Sequence, residues 1–113
     1  MSETEPLLVL CTAPTDSEVI KRLARGLVSE RLAACVNVIP GITSTYRWEG
    51  TVEESSEAQL IIKTEAGRFG ALAEWLNQHH PYETPEILAL PIVSGTPAYL
   101  EWLSAAVTPA DDA

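Results

Sequence analysis

Leu7-Leu8-Val9-Leu10-Cys11-Thr12-Ala13 is a continuous apolar run of strand length, and it predicts a central β-strand. Pro14 breaks the run, and Thr15-Asp16-Ser17-Glu18 offers a capping box in which Thr15 bonds the third amide while Glu18 reaches back. Behind it Val19, Ile20, Leu23, Leu27 and Val28 fall at helical spacing, with Lys21, Arg22, Arg25 and Glu30 facing outward, so a helix is expected. The extended pattern returns in Ala34-Cys35-Val36-Asn37-Val38-Ile39, is interrupted by Pro40-Gly41, and resumes from Ile42 to Trp48 as one long, bent strand. Glu49-Gly50 is a two-residue hairpin turn, after which Thr51 to Glu57 leads into the apolar return Ala58-Gln59-Leu60-Ile61-Ile62-Lys63. The tip of this hairpin is too long and too polar to belong wholly to one small sheet.

A second helix is predicted from Gly67 to His79, buried through Phe69, Leu72, Trp75 and Leu76 and stopped by Pro81. Ile87 to Val93 is the last strand, placed at a sheet edge by its internal Pro91. Ser94-Gly95 turns the chain, and Thr96-Pro97 opens a short helix carrying Tyr99, Leu100, Trp102 and Leu103. Residues 1–113 read as a single domain, with 1–6 and 108–113 expected to be flexible tails. The order fits an α+β split β-α-β-β-α-β arrangement with an additional C-terminal helix. Right-handed crossovers then set the strand order fourth, first, third, second, with all neighbours antiparallel. Cys11 and Cys35 fall on strands separated by another, about 9 to 10 Å apart, beyond disulfide reach.

The strands are apolar on both faces, yet two helices cover only one, so the other face calls for neighbouring subunits or the C-terminal helix; oligomerisation is the more economical expectation. Charge narrows the partners. Sixteen acidic against seven basic residues give a net charge of −9, and no basic cluster exceeds Lys21-Arg22, which excludes the footprint of a nucleic-acid binder. No apolar run approaches a membrane span, and the acidic Met-Ser-Glu-Thr-Glu-Pro start has no leader pattern, so the expectation is a soluble, cytoplasmic protein with two free thiols.

Candidate chemistry is concentrated in His79-His80-Pro81-Tyr82-Glu83-Thr84-Pro85-Glu86, which two prolines keep extended or turned. The topology brings the end of the first strand, the end of the second helix and the start of the fourth strand together, so Cys11, His79 and Glu86 are expected to converge. The plainer alternative is a helix end with a histidine pair near the dipole, followed by a strand entry. Glu83 with Glu86 as an acid/base pair, and Cys11 with His79 or His80 as a hydrolase dyad, are weaker alternatives. No third group orients the histidine, and no glycine-rich turn offers an oxyanion hole.

With Val9-Leu10-Cys11-Thr12-Ala13-Pro14, Arg31-Leu32-Ala33-Ala34-Cys35-Val36-Asn37, Ile39-Pro40-Gly41, Tyr46-Arg47-Trp48-Glu49-Gly50, His80-Pro81-Tyr82-Glu83-Thr84-Pro85-Glu86-Ile87 and Tyr99-Leu100-Glu101-Trp102, the chain resembles the CutA family of divalent-cation tolerance proteins over nearly its whole length. The resemblance implies a ferredoxin-like fold, a stable homotrimer akin to the PII signalling proteins and a cytoplasmic location; it implies no established enzymatic activity, and the expectation is a protein that is not an enzyme. It also implies a tie to copper, with zinc or another divalent metal as alternatives, held exchangeably by Cys11, His79 and Glu86, with His80 as the substitute for His79. A thiolate, an imidazole and a carboxylate suit copper or zinc better than magnesium or calcium. The alternative function is a PII-like small-ligand sensor, although a phosphate-binding glycine loop is absent.

Overall fold

Leu7 to Ala13 does form the central strand of a four-stranded sheet, flanked on one side by the hairpin and on the other by a short edge strand. A computed structural model describes residues 2–110. The elements are β1 (Pro6–Pro14), α1 (Ser17–Ser29), β2 (Cys35–Trp48), β3 (Thr51–Glu65), α2 (Ala66–His79), β4 (Leu88–Pro91) and α3 (Pro97–Val107). The sheet order is β2-β3-β1-β4 with every neighbouring pair antiparallel, as the sequence order and crossover handedness require.

The core lies between one sheet face and the two longer helices. Val9, Cys11 and Ala13 of β1 with Leu60 and Ile62 of β3 point into it and meet Leu23 and Leu27 of α1 and Leu72 and Leu76 of α2. Because side chains alternate along a strand, Leu8, Leu10 and Ile61 point the other way, joined by Leu88 and Leu90 through the pairs Leu10↔Ile61, Leu10↔Leu88 and Leu8↔Leu90. This second face is unevenly covered. α3 packs Leu103 and Val107 on Ala34, while Leu88 and Leu90 stay exposed. Cys11 and Cys35 lie on either side of β3, and both are free thiols.

Several local details differ from the sequence expectation. Asp16, not Thr15, caps α1, its Oδ1 accepting from the Glu18 and Val19 amides, because an Asp one residue later puts a carboxylate at the helix entry. The helix ends in a reversal at Arg31 (φ 58°), with Leu32 N–H donating to Leu27 O, a left-handed cap usually given to glycine. The long, bent strand is found as expected, a bulge between Ile39 and Ile42, with Gly41 at φ 72°, absorbing the Pro40-Gly41 interruption. β4 is shorter than the apolar run around it. Pro6 already pairs with Glu65, and the Glu5 and Glu3 carbonyls accept from the Ala66 and Gly67 amides, so these residues of the expected amino-terminal tail are tied to the start of α2. Of the two expected tails, Met1 and residues 111–113 lie outside the described residues.

The hairpin turn is as expected, with Glu49 (φ 49°) and Gly50 (φ 81°) both left-handed. β1 ends its pairing with β3 at Pro14↔Glu57, so residues 42–48 and 51–56 pair only with each other. This free ribbon helps stretch the molecule to 45 × 27 × 22 Å.

Candidate functional site

The 80–86 segment is held against the ends of β1 and β3 by one chain of hydrogen bonds. α2 stops at His79 because Pro81 cannot continue a helix and forces the residue before it to extend; His80 accordingly sits at φ −76°, ψ 139°. Its imidazole is buried, Nε2–H donating to the Thr12 carbonyl at 2.8 Å and Nδ1 accepting the Tyr82 N–H at 3.1 Å. Those two bonds select the neutral Nε2–H tautomer and leave neither ring nitrogen a free lone pair. Burial, the largest influence, lowers its pKa below 6.5 against the opposing pull of the Thr12 bond and the Glu57 charge.

Tyr82 continues the chain. Its ring tilts on His80 with centroids 4.7 Å apart, and its hydroxyl donates to Glu57 Oε2 at 2.6 Å. Burial first, and then this bond to a carboxylate, push the phenol above its usual range. Glu57, paired with Pro14 at the last rung of the central ladder, is only 6% exposed.

Between this segment and the hairpin ribbon opens a cleft of about 690 Å³, walled by Tyr46, Trp48 and Tyr82 and carrying the carboxylates of Glu57, Glu83 and Glu86. Tyr46 is fixed there by a 2.8 Å hydrogen bond between its hydroxyl and that of Ser55.

The expected metal donors are distributed unevenly around this centre. Glu86 lines the cleft. Cys11 is fully buried on the opposite sheet face, its thiol donating to Thr12 O at 3.6 Å. Burial, followed by the charges of Glu86 and Glu57, pushes that thiol up to about 12, far from the thiolate that binds metals. His79 is exposed at the end of α2, stacked on Trp75 with centroids 4.1 Å apart and an interplanar angle of 18°. Its Nδ1 bonds the Trp75 carbonyl at 2.8 Å, which leaves Nε2 as the lone-pair atom facing outward. Among the described residues no three His, Cys, Asp or Glu side chains stand where they could hold one metal ion, so a single chain supplies no preformed metal cage. A Cys11–histidine dyad is not assembled either: Cys11 and His80 both donate to Thr12 O instead of to each other.

Glu57 is the functional candidate that periodicity passed over. It stands in the polar return of the hairpin, where the sequence suggests a solvated residue. The only available signal was its place immediately before the apolar run from Ala58, where a strand enters the sheet.

With this geometry in place, the chain's relatives are informative. Residues 7–106 match the family described as CutA1 divalent ion tolerance protein. The Divalent-cation tolerance protein CutA of Escherichia coli is 48% identical over 106 residues, covering 94% of each chain. The solved divalent cation tolerance protein of Thermus thermophilus superposes with a TM-score of 0.88 at 48% identity, covering 91% of this chain and 99% of its own. A protein of Archaeoglobus fulgidus described as the periplasmic divalent cation tolerance protein CutA superposes with a TM-score of 0.87 at 36% identity, over 91% and 99%. By the match across most of its length and by its fold, this chain belongs to the CutA family of divalent-cation tolerance proteins.

Proposed function

We propose that the chain serves divalent-cation tolerance as a cytoplasmic homotrimer that binds copper-class ions weakly and exchangeably and catalyses no reaction. The observation that carries the metal reading is the disposition of His79. Its Nδ1 proton is committed to a backbone carbonyl and its Nε2 lone pair faces outward, the arrangement typical of a ligating imidazole. Glu86 contributes an oxygen donor, and its charge already acts on Cys11. Cys11 is the demanding member, since an arriving ion would have to displace its proton and loosen the packing around it. These conditions favour a site that forms on binding over a closed structural one, with zinc as the competing ion.

The trimer is supported by the exposed apolar positions Ile39, Leu88 and Leu90 and by a two-stranded ribbon that would be marginal alone in water. Two unpaired thiols favour a reducing compartment. Light scattering at micromolar concentration should return three chain masses; a monomer mass removes the assembly.

The metal reading is tested by calorimetric titration of the reduced protein with copper and with zinc. Copper affinity should fall about tenfold or more in Cys11→Ser, His79→Ala and Glu86→Gln, as loss of one of three ligands predicts, and hold in His80→Ala. Equal affinity in all four variants removes the site, and loss confined to His80→Ala transfers it to that imidazole.

A further inference from the structure

We infer, resting on the metal reading of His79, that Trp75 is the positioning residue of that site: its indole and its carbonyl together hold His79 in the tautomer and orientation that present Nε2 to an arriving ion. Three contacts converge on His79. Its imidazole lies on the indole with centroids 4.1 Å apart and planes 18° apart. Its Nδ1–H donates to the Trp75 carbonyl at 2.8 Å. Arg22, reaching across from α1, donates to the His79 carbonyl at 3.1 Å and ties the backbone of this last residue of α2 to the neighbouring helix.

The indole is itself immobilised. Its benzo edge lies against α1 at Gly26, where an added Cβ would overlap the ring, and Trp75 packs on the main core cluster. Trp75 and His79 are one turn apart on α2, the spacing at which side chains share a helix face. A ring anchored in the core thus carries an exposed one.

A solvated histidine at a helix end behaves differently. Its ring exchanges between rotamers, and without a fixed partner neither nitrogen is bound to keep the proton. Attraction to the helix dipole, the plainer account of a histidine in a last turn, requires neither a set ring plane nor a set tautomer. Here the stack sets the plane and the carbonyl sets the nitrogen that carries the proton. A donor already oriented loses less freedom when it takes an ion, and orientation of this kind is what the groups behind a ligating histidine supply. Cys11 is fully buried, so the first contact with an ion falls to His79.

The test has a part without metal and a part with it. Long-range proton–nitrogen NMR of the metal-free protein at pH 8, where an ordinary imidazole is neutral, should show His79 with its proton on Nδ1. Trp75→Leu keeps the backbone carbonyl but removes the ring, and should leave the proton shared between the two nitrogens; Trp75→Phe, which keeps an aromatic face, should restore the wild-type pattern. In calorimetric titration, copper affinity should fall about tenfold in Trp75→Leu, recover to within about threefold of wild type in Trp75→Phe, and fall no further when Trp75→Leu is added to His79→Ala. Wild-type tautomer and copper affinity in Trp75→Leu, even with a lowered melting temperature, would mean that the ring only packs and would overturn the proposal. Equal losses in Trp75→Leu and Trp75→Phe would overturn it too, since the aromatic face would not be what acts. Wild-type copper affinity in His79→Ala removes the metal reading and this role with it, whereas a copper loss in His79→Ala beside an unchanged Nδ1–H tautomer in Trp75→Leu overturns the positioning alone.

Discussion

The Thr12 carbonyl oxygen takes two buried donors, the Cys11 thiol and the His80 imidazole, and both tie the same strand end to its surroundings. With its pKa pushed up to about 12, roughly one Cys11 thiol in ten thousand is ionised at pH 8, so the group is chemically quiet while folded. In a Cys35→Ser background, a disulfide reagent at pH 8 should leave Cys11 unmodified until denaturant unfolds the protein; rapid labelling in native buffer would contradict the burial. His80 makes the complementary prediction. Its folded pKa lies below 6.5, so folding favours the neutral ring, and its contribution is fully present above pH 6.5 and is lost as pH falls through the folded value. The denaturation midpoint should therefore decline below pH 6.5, and a His80→Gln variant should be less stable at neutral pH with a flatter profile across that window.

At the level of elements, α1 and α2 approach closely because residue 26 has no side chain. A Cβ at Gly26 would overlap the Trp75 ring at Cζ2, well inside contact distance. Gly26→Ala should destabilise by about 1 to 3 kcal/mol despite the better helix propensity of alanine. Trp75→Leu removes the opposing ring, so in that background the same change should become neutral or stabilising by up to about 1 kcal/mol. Chemical denaturation of the four proteins measures the coupling, and additive effects would mean that the helices adjust without strain. The Arg31 reversal belongs to this scale too. No glycine marks the end of α1, so periodicity places the end near Val28 but cannot reveal that an arginine turns the chain left-handed.

The two sheet faces separate folding from assembly at the scale of the whole molecule. Leu60 is fully buried against the helices, so Leu60→Asp places an unpaired charge in the core and should prevent folding at 25 °C, an effect of several kcal/mol. Ile61 and Leu90 point to the other face. Ile61→Asp and Leu90→Asp should keep the circular dichroism of the fold and release monomers in light scattering. Trimers persisting in both variants would show that this face is not where the subunits meet.

The sequence by itself determined the order of elements, the strand order and the separation of the two cysteines, because hydrophobic periodicity, proline stops and crossover handedness act locally or by simple topological rules. Even the Glu49-Gly50 turn was legible, since a two-residue connection between twisted strands demands left-handed backbone. The site was legible only as a neighbourhood. Which histidine keeps a lone pair depended on His80 reaching Thr12, 68 residues away in sequence, and on His79 bonding Trp75 instead. Whether Cys11 is a ligand or a core residue depended on which sheet face the helices cover, and strands apolar on both faces give no sign of that. Glu57 was invisible for the same reason: its burial arises from Tyr82, 25 residues on, folding back over it. Only tertiary structure decided these points, because the pKa and exposure of a group are set by neighbours that sequence distance does not reveal.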